Sequence, residues 1–432
     1  MKTIARLLAL LSLAASGLLY VRIRAPIDPL RGSLWILRLL AEAVTPFIAL
    51  GGTVAAGLAL RARSPIAFLT AMLGAVAAFR DVRRVTAPRP GFAQEFGVAW
   101  EEAIGPERQT RMLRRRWSWH LPAASEAQWQ RDVPFWTLPD TDRRLLCDVW
   151  QPPRGVAPSG LAVVYLHGSA WSLLDKDFFT RPFFRHLAGQ GHVVMDVAYR
   201  LYPETDMMGV VGDAKRAIAW MKEQGPAYGV NPERVVVAGG SAGGHLALLA
   251  AYTPREDVLT PDDASDADLS VRAVISCYGP TDLRAYYDHT RQNTWGHVGQ
   301  APEAHPPGRL MRRLLGTSYE RLGLGKSVVP GAMEPLVGGT PEAVPDRYAL
   351  FSPTTHARPG CPPTLLIQGK DDVIAPVAAT TLLFERLVAA GVPAANIVFP
   401  HAEHGFDLVF PRWSPAAQAA LYYEERFLAL MV

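Results

Sequence analysis

The chain has 432 residues, a net charge of +4 at pH 7, and 49% hydrophobic against 19% charged residues, a length that holds one large α/β domain and something more. Residues 1–92 carry twelve Lys/Arg and three Asp/Glu, so the remainder is net acidic, which excludes a basic nucleic-acid-binding face on the globular part. Cys147, Cys277 and Cys361 are odd in number and form no C-x-x-C pair, which argues against a disulfide framework or a zinc site. Cys277 follows an apolar run and reads as a small core residue.

Leu7–Val21, Ala43–Leu60 and Ser64–Phe79 are uncharged apolar stretches of 15, 18 and 16 residues, with arginines at nearly every end. Arginines that snorkel to the interface shorten the apolar length a span needs. Residues 1–84 are therefore predicted to form a membrane region of two or three transmembrane helices in contact with membrane lipids. Ala43–Leu60 is the best candidate, and Ser64–Phe79 returns after a turn at 61–63. The first stretch, behind Lys2 and Arg6, has features of a signal peptide, but its apolar character runs on to Val21 without a small-x-small cleavage site. With three spans, the 22–38 loop and the 80–89 segment hold more Lys/Arg than the opposite side, which places the C-terminal domain in the cytoplasm. Residues 85–131 read as a linker. There, Arg111, Arg114, Arg115 and Arg116 run into Trp117 and Trp119, suiting either a headgroup-level surface or an exposed basic turn.

From Asp132 to the end, short β-rich runs alternate with helical segments. The predicted strands are Leu161–His167, His192–Ala198, Arg234–Ala238, Val271–Cys277, Thr364–Gln368 and Asn396–Pro400, with helices near 177–190, 208–224, 242–252, 376–391 and 414–430. This alternation predicts an α/β fold, a doubly wound and mostly parallel sheet. Residues 281–350 break the rhythm, are rich in Pro, Gly, Arg and His, and read as a cap inserted over the active site.

Chemistry-bearing residues fall at the carboxyl ends of these strands, where such sheets place their sites. The first predicted strand runs into His167, Gly168, Ser169, Ala170 and Trp171, a turn of small residues whose N–H groups can approach a carbonyl. The third runs into Gly239-Gly240-Ser241-Ala242-Gly243, a Gly-x-Ser-x-Gly between strand and helix that exposes Ser241 as a nucleophile. A serine needs a base, and the base needs an orienter. Asp372 follows the fifth strand and is preferred to Asp371, which reads as a solvated loop residue or local cap. His404, before Gly405 and Phe406, follows the sixth and is preferred to His401, which reads as a surface or core-edge histidine. The order Ser, Asp, His is that of a Gly-x-Ser-x-Gly hydrolase. The N–H of Ala242 and those of Gly168, Ser169 and Ala170 are the expected oxyanion donors. His245 reads as packed within its helix. Arg200 reads as structural, through Glu204 or a backbone contact. The triad supplies nucleophile, base and electrostatics, so no metal or organic cofactor is expected.

His-Gly-x-x-Trp at 167–171, the segment Asp196 to Glu204, Gly-Gly-Ser-Ala-Gly-Gly-His at 239–245 and the later Asp372 and His404-Gly405-Phe406 resemble the α/β-hydrolase superfamily. More narrowly, they resemble the hormone-sensitive-lipase-like carboxylesterases and their feruloyl-esterase-type relatives, over about residues 132–432. The resemblance implies a carboxylesterase or lipase that cleaves a small-molecule or lipid ester through an acyl-enzyme on Ser241, with Trp171 beside the substrate. Spans ahead of such a domain are similar to actinobacterial membrane-anchored lipases and esterases, and to membrane-bound isoprenylcysteine methylesterases. Arylformamidase or peptidase activity on the same fold remains open, as does a non-enzymatic membrane protein that keeps the fold. The family usually has a second glycine where this chain has Ser169. Because strands, triad and oxyanion turn lie beyond Asp132, the sequence predicts a catalytic domain that works without residues 1–90.

Overall fold

The computed structural model describes residues 1–23, 29–119, 121, 126–139, 141–168, 170–292 and 330–432. Most of the expected cap and Ser169 of the expected oxyanion turn lie outside them.

All six expected strands are present. The apolar runs form β3 (Ala162–Leu166), β4 (Val193–Ala198), β5 (Val235–Gly240), β6 (Ala273–Cys277), β7 (Thr364–Gly369) and β8 (Ala394–Phe399). β3, β5, β6 and β7 are buried along their whole lengths, as continuous apolar runs in a parallel sheet must be. Two further strands, β1 (Gln128–Thr137) and β2 (Arg144–Gln151), form an antiparallel hairpin at the edge, giving the order β1-β2-β4-β3-β5-β6-β7-β8. β1 is mostly exposed, contains Pro134 and slips register on either side of it, features an edge strand tolerates and a hydrophobic pattern does not report.

Helices cover both faces. α8 (Met207–Gln224), α9 (Ala242–Tyr252) and a helix at Val377–Ala389 bury Val210, Leu246, Leu249 and Leu383 on one side of the sheet. α7 (Arg181–Gly189) and the C-terminal helix Pro415–Leu430 cover the other with Phe184, Tyr423 and Phe427. The expected linker is part of this second face. α5 (Pro90–Phe96), α6 (Pro106–Gln109) and the residues to Leu113 bury Phe92, Trp100, Met112 and Leu113 there, and Arg116 lies over the Tyr422 ring at 4.7 Å. All three cysteines are free and buried.

The N-terminal residues form α1 (Lys2–Leu18), α2 (Pro29–Ala43), α3 (Thr45–Arg61) and α4 (Pro65–Val85). Part of the expected 22–38 loop is thus helical. The helix starting at Pro65 is long and apolar enough to cross a membrane, while Leu34–Ala43 and Thr45–Arg61 qualify only as a pair bent by 78°. α1, α3 and α4 pack through small residues, with Ala5, Ala9, Ala55, Ala59, Ala67 and Ala71 inside. A Cβ on Gly74 would stand 2.8 Å from the Leu13 nitrogen, and Ser16 Oγ donates to Gly74 O at 2.7 Å. The large side chains point outward: Leu7, Leu11, Leu50, Leu69, Leu73 and Phe79 are all more than half exposed.

Candidate active site

The turn after β5 holds Ser241 at φ 53°, ψ −124°, a conformation a non-glycine residue adopts only when its surroundings impose it. Those surroundings are glycines. A Cβ on Gly243 would lie 1.9 Å from Leu166 O, and one on Gly239 would lie 2.5 Å from Gly243 C. α9 begins at Ala242, so its first N–H groups have no intrahelical acceptor and face the space beside Ser241. Gly168 comes so close that a Cβ there would meet Gly240 O at 2.9 Å and Ser241 Cβ at 3.1 Å, which brings the turn after β3 against the nucleophile. Ala170 follows at φ 48°.

His404 Nε2 lies 2.8 Å from Ser241 Oγ, and His404 Nδ1 lies 2.9 Å from Asp372 Oδ2. Asp372 is held in turn. Its Oδ1 accepts from the N–H groups of Ile374 and Ala375 at 2.8 Å each, and its Oδ2 accepts from Gln368 Nε2 at 2.8 Å. Four donors on one buried carboxylate fix its position. The Tyr278 ring lies 4.6 Å from the His404 ring, and its hydroxyl donates to Asp407. This line of contacts lets a proton pass from Oγ to Nε2 while the imidazolium faces a fixed negative charge.

The sequence-based choices of Ser241, His404 and Asp372 converge within hydrogen-bond reach, Gly168 lies against Ser241, and Ala242 follows it at the start of α9. His245 is packed as expected: its Nε2 lies 2.7 Å from Phe351 O, and burial lowers its pKa to about 4. Three expectations change. Trp171 is 2% exposed, donates from Nε1 to His245 Nδ1 at 3.2 Å and stands edge-on to Tyr286, so it braces α9 rather than lining a substrate site. Arg200 grips Asp213 with two N–H groups at 2.7 and 2.8 Å, leaving Glu204 to Arg143. Asp371 is paired with Arg38 at 2.6 Å, not solvated. His401 is the core-edge histidine expected, part-buried with its Nδ1 2.9 Å from Asp81 Oδ1. Gln368, Tyr278 and Arg38 carry no motif and were not singled out in the sequence. A cavity of about 510 Å³ lined by Tyr165, Phe183, Ile275, Leu408 and Trp413 lies on the α7 face, and none of the three converging side chains lines it.

The BD-FAE family matches residues 147–387. The chain is 29% identical over 287 residues to a probable carboxylic ester hydrolase, LipM, of Mycobacterium tuberculosis, covering 65% of this chain and 57% of LipM. It is 27% identical over 294 residues to the esterase LipQ of the same organism, covering 67% and 60%, and 28% identical over 280 residues to the esterase LipC, covering 64% and 61%. This chain thus spans roughly three fifths of the length of those relatives. Among solved structures, apo esterase 2 of Thermogutta terrifontis superposes with a TM-score of 0.51 at 23% identity, over 71% of this chain and 97% of that one, a likeness of fold. With more than half of its residues matched, and with the nucleophile elbow and the turn after β3 both inside the matched span, this chain belongs to the BD-FAE family.

Proposed function

We propose that the protein is a serine carboxyl ester hydrolase whose N-terminal bundle sits in a lipid bilayer. The observation that carries the hydrolase reading is the Ser241–His404–Asp372 line at 2.8 and 2.9 Å with Ser241 in its strained elbow. Ser241 Oγ attacks the ester carbonyl as its proton passes to His404 Nε2. The oxyanion faces the N–H of Ala242 and the turn that begins at Gly168. His404 returns the proton to the leaving alcohol, and water repeats the sequence to release the acid. The names of LipM, LipQ and LipC support an ester as the scissile bond.

The bilayer reading rests on the inverted bundle: alanine, glycine and serine inside, leucine and phenylalanine outside. Small residues let helices approach where lipid, not water, is the solvent. At about 1.5 Å per residue, the 21 residues of α4 reach roughly 30 Å, the thickness of a hydrocarbon core. Lys2, Arg6, Arg61 and Arg63 belong to the bundle end away from the catalytic domain. Arg22, Arg80, Arg83, Arg84 and Arg89 belong to the end that meets it, which supports a cytoplasmic catalytic domain.

A panel of p-nitrophenyl esters from acetate to palmitate, offered to the full chain in vesicles, tests the hydrolase reading. Turnover on at least one ester, lowered by Ser241→Ala to less than about a thousandth, is expected. Turnover that survives the substitution overturns the assignment of Ser241. N-formylkynurenine and a peptide amide in the same panel separate ester from amide specificity.

A further inference from the structure

The residues that precede the acid and the base are both tied to the N-terminal helices. Asp371, next to Asp372, accepts from Arg38 Nη2 at 2.6 Å. Glu403, next to His404, stands 2.8 Å from Arg38 Nη1, and its backbone N–H donates to Glu42 Oε2 at 3.2 Å. The carbonyl of His401 accepts from Arg38 Nη2 at 2.8 Å. Arg38 also donates to Val21 O at 2.9 Å and pairs with Glu42, one turn along α2, at 3.2 Å. The guanidinium is 1% exposed and Glu403 is 0% exposed.

On the hydrolase reading above, we infer that Arg38 is a positioning residue for the triad. One planar fork on α2 joins the loop that carries Asp372 to the loop that carries His404, so the N-terminal helices are a working part of the active site. A guanidinium suits this task because its donors leave in fixed directions along several edges, and burial removes its rotamer freedom. The two loops follow different strands, and a triad tolerates only about 0.5 Å of misplacement before proton transfer suffers. Lysine keeps the charge but offers one point instead of a fork, and it cannot reach Asp371, His401 O and Glu403 together.

The test uses full-length protein in detergent or vesicles, with Arg38→Lys, Arg38→Met and Asp371→Asn beside the wild type. Each is measured for kcat and KM on a short ester and for the rate at which a fluorophosphonate labels Ser241, counting only the monodisperse fraction. The expected order of labelling rate and kcat is wild type, then Arg38→Lys down about tenfold, then Arg38→Met lower still, with KM within about twofold throughout. Asp371→Asn, which keeps Arg38 and removes its partner on the acid loop, is expected to fall about tenfold and decides the matter if neither Arg38 variant folds. A residue that only stabilises the fold would alter melting and yield and leave kcat per folded molecule unchanged. Wild-type kcat and labelling in folded Arg38→Lys, or in Asp371→Asn, overturns the inference. If the wild type itself is not labelled at Ser241, it is the hydrolase reading that fails.

Discussion

The two halves of this molecule bury opposite kinds of residue. In the catalytic domain Val164, Leu246, Ile275 and Phe427 are fully or almost fully buried; in the bundle the buried residues are Ala5, Ala9, Ala55, Ala59 and Ala71, while Leu11, Leu69 and Leu73 face out. A water-soluble core gains stability by removing large apolar side chains from water. Helices in lipid gain nothing that way and associate through close backbone contact instead. On the bilayer placement proposed above, one chain follows two solvent rules, and the boundary between them runs through α2. There the burial is polar: Arg38 and Glu42 of α2 meet Asp371 and Glu403 of the catalytic domain.

The comparison is sharpened first at the two adjacent aspartates. Among the described residues, Asp372 bonds to groups of the catalytic domain and Asp371 to Arg38. Asp372→Asn is expected to lower kcat by about 10⁴-fold, because an amide there favours the wrong histidine tautomer. Asp371→Asn loses one charged partner and is expected to cost far less, as stated above. Equal losses on a water-soluble ester would break the distinction.

A second cut removes residues 1–90. The sequence alone predicts that the remainder still works; the buried contacts of Arg38 point the other way. Without Arg38, Asp371 loses its cation and Glu403 its buried partner, and uncovering one side of a buried ion pair costs about 3–5 kcal/mol. The truncated chain is expected to show at most a hundredth of the full-length kcat on p-nitrophenyl acetate. Full activity on that soluble ester would show that the bundle is only an anchor.

Arginine in place of Leu73, exposed near the middle of α4, tests the outer face. In lipid this costs about 2.5–3.5 kcal/mol, and the variant is expected to leave the carbonate-washed membrane fraction largely depleted. On a water-facing helix the same change would be nearly neutral.

Glu403 gives the smallest effect. Burial pushes its carboxyl up to about 8, against the pull of Arg38. The folded chain keeps this proton where the unfolded chain has lost it, so the stability it confers is complete at acid pH and falls as pH rises towards 8. The melting temperature of the wild type is expected to drop relative to Glu403→Gln by about 4 °C or more between pH 5 and pH 8.5. A pH-independent difference would contradict the buried, protonated state.

Legibility in the sequence followed the range of the interactions. The elbow at Ser241 is local, since Gly239 and Gly243 are needed within two residues of it, and a motif records it. The central strands are equally plain, because a doubly buried strand is an unbroken apolar run. Asp372 and His404 were found because they end such strands in a fixed order. What escaped was long-range or set by packing. Arg38 meets Asp371 across 333 positions of sequence, and α2 reads as a loop because charged residues interrupt its apolar run. Trp171 sits in a turn that suggests substrate contact, and only the packing of His245 and Tyr286 shows it turned inward. β1 escaped as a mostly exposed edge strand broken by Pro134.

The most direct measurement is fluorophosphonate labelling of full-length protein in carbonate-washed membranes, with the modified residue located by peptide mass spectrometry. The expected result is a single adduct on Ser241 in the washed pellet, absent in Ser241→Ala and strongly reduced in Asp372→Asn. A washed pellet with no labelled protein, or an adduct that persists in Ser241→Ala, would contradict a membrane-embedded serine hydrolase.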